Sequence, residues 1–270
     1  MKTIMYILVL LLVTLDTFAQ EKAENPLTNI VSEEIVYKVD EIKLNGYLAY
    51  NSSINGKRPG VLVVHEWWGH NEYARKRAEM LAELGYVAFA VDMYGDGKLA
   101  EHPNDAGKLM KQVTSDMSLA EKRLEAAIKV LHQQQFTDAS KTAAIGYCFG
   151  GAMVLHLARS GVDIDGVVSF HGSLGTKSPA KKDVVQAKIL VLHGEEDPFI
   201  PPEQVLAFKE EMTSSTVDYE FVAYPNVKHS FTNPQADEFS KKFDLPALQY
   251  NQHADEDSWK RMQAFFEKIF

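Results

Sequence analysis

Few residues in this chain could do covalent chemistry. The 270 residues include one cysteine, Cys148. It lies in Gly146-Tyr147-Cys148-Phe149-Gly150, the G-x-nucleophile-x-G pattern with Cys where Ser is commoner. A strand-length apolar run, residues 142–147, precedes it, and an apolar helix-forming run, 152–158, follows. The sulfur therefore falls on a sharp strand-to-helix turn. Such a turn holds its central residue in strained backbone, and the positions two residues away pack too closely to carry side chains, which accounts for the glycines. It also points the first amides of the following helix at any oxyanion that forms there. Free cysteines are often just small buried apolar side chains, but the strand–turn–helix setting favours a nucleophile. With a single cysteine, neither an intrachain disulfide nor a Cys-rich metal site competes for it.

A nucleophile of this kind needs a base and a group to orient the base. Both have to come from elements placed as the first strand is. Runs at 60–65, 86–91, 166–170, 189–193 and 217–224 are short and apolar, as strands buried on both faces are. Helical patterns at 72–84, 106–113, 115–135, 202–213 and 255–270 fall between or after them, and two alternating runs at 35–39 and 42–50 read as an antiparallel pair at one edge. Buried strands alternating with helices predict an α/β fold: one mostly parallel sheet of about eight strands with helices on both faces. Ligands bind such sheets beyond the carboxyl ends of the strands. There the sequence places His65, Glu66, Trp67 and Trp68, then Asp92 and Tyr94, then Cys148, His171, Asp197 and His229. Nucleophile, acid and histidine follow one another along the chain as Cys148, Asp197 and His229. His229 would take the thiol proton and return it to a leaving group, and Asp197 would fix the imidazole tautomer. Glu195 or Glu196 could orient the histidine instead, and Asp197, before Pro198, also suits a turn.

These pieces together resemble the dienelactone hydrolase family of α/β-hydrolases. The matching segments are HEWWG at 65–69, VDMYG at 91–95, GYCFGG at 146–151, HGEEDPFIP at 193–201 and KHSF at 228–231. The resemblance implies a carboxylic ester hydrolase with a triad of Cys148, Asp197 and His229. It implies an additional active-site carboxylate at Glu66 and an oxyanion hole made by the backbone amides of Phe149 and Trp67. It also implies that Glu66 disfavours the thiolate in the resting enzyme and helps form it when substrate binds. Two arginines that hold a substrate carboxylate in the family are absent. Tyr94-Gly95-Asp96 stands in place of one and Asn233 in place of the other, so a neutral ester or lactone is expected. Trp68, Tyr94 and His171, beside Trp67, are the candidates for an aromatic substrate pocket, with ordinary packing as the alternative.

His65-Glu66-x-x-x-His70 resembles a zinc-binding pattern only superficially. Its histidines are five apart across a strand end, whereas the zinc motif sets them four apart on a helix. No metal and no cofactor is expected. The net charge is −9 and no basic stripe is present, which argues against nucleic acid. Residues 1–19 read as a signal peptide, with Lys2, an apolar run at 4–15 and a small-x-small site at Thr17-Phe18-Ala19. Residues 20–34 read as a polar leader and 35–270 as one domain. The expected product is a periplasmic or secreted monomer without stable membrane association, acting on a small-molecule ester or lactone. A non-catalytic binding protein on the same fold, and a thiol acyltransferase or peptidase, are the rival readings.

Overall fold

The computed structural model describes residues 29–270. The signal-peptide reading of residues 1–19 lies outside them. Eight strands form one sheet: β1 (Ile30–Val39), β2 (Ile42–Asn51), β3 (Arg58–Val64), β4 (Val87–Val91), β5 (Thr137–Tyr147), β6 (Gly166–Phe170), β7 (Lys188–Gly194) and β8 (Tyr219–Tyr224). Their order is β1-β2-β4-β3-β5-β6-β7-β8. β1, β2 and β4 pair antiparallel, and every pairing from β4 through β8 is parallel. This is the α/β-hydrolase arrangement expected from the alternating pattern. The first strand begins at Ile30, so the expected leader gives way to sheet before residue 35. Its Ser32-Glu33-Glu34 stretch is exposed, as edge strands often are, and that polarity hid the strand.

Seven helices complete the described chain: α1 (Glu72–Glu83), α2 (Pro103–Thr114), α3 (Met117–His132), α4 (Phe149–Ser160), α5 (Pro202–Ser214), α6 (Ala236–Phe243) and α7 (Gln252–Ile269). Alternate residues of the central strands feed two separate cores, because successive side chains of a strand point to opposite faces. Leu62 and Val64 of β3 pack with α3, α4 and α5, whereas Val61 and Val63 pack with α1 and α7. Covering both faces is what makes the central strands continuously apolar. The same layering brings the carboxyl ends of β3, β5, β7 and β8 to one edge of the sheet, where the reactive side chains gather.

Candidate active site

Cys148 stands between β5 and α4 with φ 53° and ψ −113°, a left-handed backbone that a side-chain-bearing residue adopts only at a cost of about 1–3 kcal/mol. Its amide offsets part of that cost by donating to Phe170 O at 3.0 Å and to His171 Nδ1 at 3.1 Å. The neighbouring glycines are obligatory for steric reasons. A Cβ on Gly146 would run into the carbonyl of Gly150, and one on Gly150 into the carbonyl of Val64. A Cβ on Gly151 would lie 2.7 Å from Ser169 Oγ. Phe149 is the first residue of α4, so its amide is one of those that a helix leaves without an internal partner.

His229 lies beyond β8, buried, and its Nδ1 meets Asp197 Oδ2 at 2.6 Å. Asp197 is buried as well, and its other oxygen accepts from the Phe199 amide at 2.9 Å. Glu195 and Glu196 are exposed, which leaves Asp197 as the acid that meets the histidine. Burial alone would lower the basicity of His229. Interaction with the Cys148 sulfur and hydrogen bonds to Asp197 and Cys148 reverse this and hold it well above its ordinary value. The ring of Phe199 stands edge-on to His229 with centroids 5.0 Å apart.

Glu66 is buried just past β3. Ser230 Oγ donates to one of its oxygens at 2.9 Å and Asn233 Nδ2 to the other at 2.6 Å. Burial pushes its carboxyl up, against these two hydrogen bonds and the charges of His229 and Arg77. Asn233, which the sequence marked only by the arginine it lacks, is thus a partner of Glu66. Sequence reading also missed Arg77 of α1, which donates to Thr232 O and to Asp255 Oδ1, both at 2.6 Å. That clamp ties the loop carrying His229 to α1 and α7. No local motif signals it, because its partners lie more than 150 residues away in sequence.

The three aromatic candidates fall behind the site wall. Trp68 is buried against Phe239 and Phe243. Tyr94 donates its hydroxyl to Trp67 O at 2.8 Å and so fixes the peptide preceding Trp68. Asp92 organises that loop by accepting from the amides of Tyr94, Gly95, Gly97 and Asn45. His171 accepts from the Cys148 amide through Nδ1, so its Nε2 carries the proton and donates to Thr232 Oγ1 at 2.8 Å. Burial holds this imidazole neutral by pushing its pKa well below the ordinary value. His171 therefore supports the turn and does not line the cavity. His65 is also committed, since Nε2 accepts from the Met93 amide and Nδ1 meets Glu66 O. Among the described residues no cluster of three metal-ligating side chains occurs.

A cavity of about 800 Å³ opens over the sulfur, lined there by Trp67, Cys148, Phe149, Phe199, Ile200 and His229. A thiol, an imidazole and a carboxylate in series at the floor of an apolar cavity are the parts needed for acyl transfer. The dienelactone hydrolase family model matches residues 44–270. The chain belongs to the dienelactone hydrolase family. It is a hydrolase of carboxylic esters of that kind. It is 28% identical to "Protein usf" of Aquifex pyrophilus over 88% of this chain and 99% of that one. It is 26% identical to an Aquifex aeolicus protein provisionally named carboxymethylenebutenolidase, over 77% and 90% of the two chains. Among solved structures it resembles a dienelactone hydrolase-like promiscuous phosphotriesterase from metagenomic libraries. The TM-score is 0.82 at 32% identity, covering 90% of this chain and 99% of that one.

Proposed function

We propose that this member of the family cleaves a neutral ester or lactone through a thioester on Cys148, with His229 as base and Asp197 as its orienting acid. The observation that carries the reading is the buried 2.6 Å contact of His229 Nδ1 with Asp197, on an imidazole whose basicity is raised by the Cys148 sulfur. His229 takes the thiol proton, and the sulfur attacks the carbonyl carbon. The amides of Phe149 and Trp67 hold the resulting oxyanion, each such donor being worth about 3 kcal/mol. As the carbon–oxygen bond breaks, the imidazolium gives its proton to the departing alkoxide. Water then attacks the thioester with His229 again as base. The carbon–sulfur bond breaks, the acid leaves and the proton returns to sulfur.

Glu66 holds Ser230 and Asn233, on either side of the loop that follows His229, and so acts as a positioning residue in the resting enzyme. The buried charge of α4 also favours a neutral substrate, the other cation that borders the cavity, Lys177, being exposed to water. Arg159, a cation on the cavity wall, is engaged by Glu211 at 2.8 and 2.9 Å and is not free to hold a carboxylate. The signal pattern of residues 1–19 supports export, and an N-terminus near Gln20 on protein recovered from its host would be the corresponding observation. The test of the reaction is hydrolysis of p-nitrophenyl acetate with trapping of the acyl group. A mass increment on Cys148 that is lost in Cys148→Ala supports the reading. Turnover that survives Cys148→Ala refutes it. Adding a neutral phosphotriester to the panel asks whether the metagenomic relative's activity extends to this chain.

A further inference from the structure

The cavity does not end at the sulfur. Cys148, Phe149, Ala152, Met153, His156 and Arg159 all line it, at the spacing of one face of α4. At 1.5 Å rise per residue, the step from position 148 to position 159 covers about 16 Å. Met110 and Thr114 of α2 and Met117 of α3 line it as well, and the exposed Ser173, Gly175, Thr176, Lys177 and Ser178 border it. Methionines suit a wall that must follow a flexible apolar chain. Ala152 is the half-buried position midway along the α4 side, where a single methyl group leaves the groove open. His156 and Arg159, the two titratable groups of α4 on this wall, are matched within the protein, while Lys177 borders the cavity from an exposed position. His156 Nε2 meets Glu121 at 2.7 Å, and Arg159 is held by Glu211. The groove along α4 therefore offers length and apolar surface, with the charges of α4 itself already paired.

We propose that the groove along α4 is a subsite for an extended apolar chain of about a dozen bonds, at roughly 1.25 Å of advance per bond, on an ester held at Cys148. The proposal rests on the thioester reading and adds the class of substrate: a long-chain ester, in which the reacting carbonyl lies at one end of the cavity and the chain fills the rest. A small lactone would leave most of the 800 Å³ unfilled.

The experiment measures kcat/KM for two series on wild type and Ala152→Trp: p-nitrophenyl esters from acetyl to dodecanoyl, and alkyl acetates from ethyl to dodecyl. The first series places the chain on the acyl side, the second on the alcohol side. A buried methylene is worth up to about fourfold, so one series should rise at least about a hundredfold towards ten or twelve carbons. The indole at position 152 should cut the long-to-short ratio of that series at least about tenfold, since overfilling a groove excludes the chain that filled it. Thr114→Trp, on α2, gives the same readout if the first variant does not fold. Two flat series, an optimum at four carbons or fewer, or a rise whose ratio is the same in the variants would overturn the proposal. Failure of the thioester reading looks different: cleavage survives Cys148→Ala, in which case the chain-length series still decide the groove, or neither acetyl nor dodecanoyl ester is cleaved. In that event calorimetric titration with tridecan-2-one, which cannot be hydrolysed, decides the groove. Saturable binding weakened by Ala152→Trp sustains it, and no binding overturns it.

Discussion

Asp197→Asn is the change whose consequence the hydrogen-bond geometry constrains most tightly. Asp197 Oδ1 accepts from the Phe199 amide at 2.9 Å and Oδ2 from His229 Nδ1 at 2.6 Å, the second contact fully buried. An asparagine has one acceptor atom. Keeping the side-chain oxygen on the Phe199 amide turns the NH2 towards His229. The imidazole must then accept at Nδ1, which moves its proton to Nε2, the side from which it should take the thiol proton. The lost charge-assisted bond is worth about 1.5–3 kcal/mol, or roughly ten- to 150-fold. The wrong tautomer adds to this, and acid-to-amide changes of this kind in a triad cost about 10⁴ in kcat. We expect kcat for p-nitrophenyl acetate to fall about 10³- to 10⁴-fold with KM changed by less than about threefold. The melting temperature should move little, because volume is conserved. Alkylation of Cys148 by iodoacetamide gives a second readout. Asp197 orients the imidazole that would take the thiol proton, so the alkylation profile should change, with a slower rate at neutral pH. A kcat within tenfold of wild type, with an unmoved alkylation profile, would refute the argument and send the orienting role back to Glu195 or Glu196.

Glu66→Ala should leave the Ser230 hydroxyl and the Asn233 amide buried without an acceptor, at about 1–3 kcal/mol each, readable as a lower urea midpoint. Glu66→Gln keeps the shape, with its oxygen facing Asn233 and its NH2 facing the Ser230 hydroxyl. Because burial raises the Glu66 carboxyl, its contribution to stability is present below the unfolded pKa and lost as pH rises through the folded one, so Glu66→Gln should gain on wild type as pH increases. Removing the charge should also change the rate at which iodoacetamide reaches Cys148; unchanged alkylation and turnover would leave Glu66 a purely structural residue. Gly150→Ala drives a Cβ into the Val64 carbonyl and should cost at least about 1–3 kcal/mol with loss of turnover, and a melting curve superimposable on wild type would show that the turn is looser than described. The raised basicity of His229 is likewise linked to folding: its contribution is full below about pH 6.5 and disappears as pH rises through the raised value. The denaturant midpoint of wild type relative to His229→Gln should therefore narrow on alkaline titration, and a widening gap would contradict the assigned direction.

What could be read from the sequence was whatever is encoded locally. The apolar runs that became β3, β4, β6 and β7 announce buried strands because helices cover both of their faces. The glycines of 146–151 announce the turn at Cys148 because no side chain fits beside the carbonyls of Val64 and Gly150. The order Cys148, Asp197, His229 follows from the winding of strands onto one edge, and the family resemblance of HEWWG and KHSF added Glu66 and the expectation of an oxyanion hole at the amides of Phe149 and Trp67.

Other features are properties of pairs distant in sequence. Glu66 is held by Ser230 and Asn233, and Arg77 clamps Thr232 to Asp255; neither partner carries a local signature of the other. Sequence position put Trp68, Tyr94 and His171 at strand ends beside the site, but which way a strand-end side chain turns depends on what packs over it. Phe239 and Phe243 of α6, a helix the sequence reading did not identify, cover Trp68. Thr232 draws His171 inward and the Trp67 carbonyl draws Tyr94. The groove along α4 is likewise a tertiary fact, since its lining is assembled from α2, α3, α4 and loops far apart in sequence.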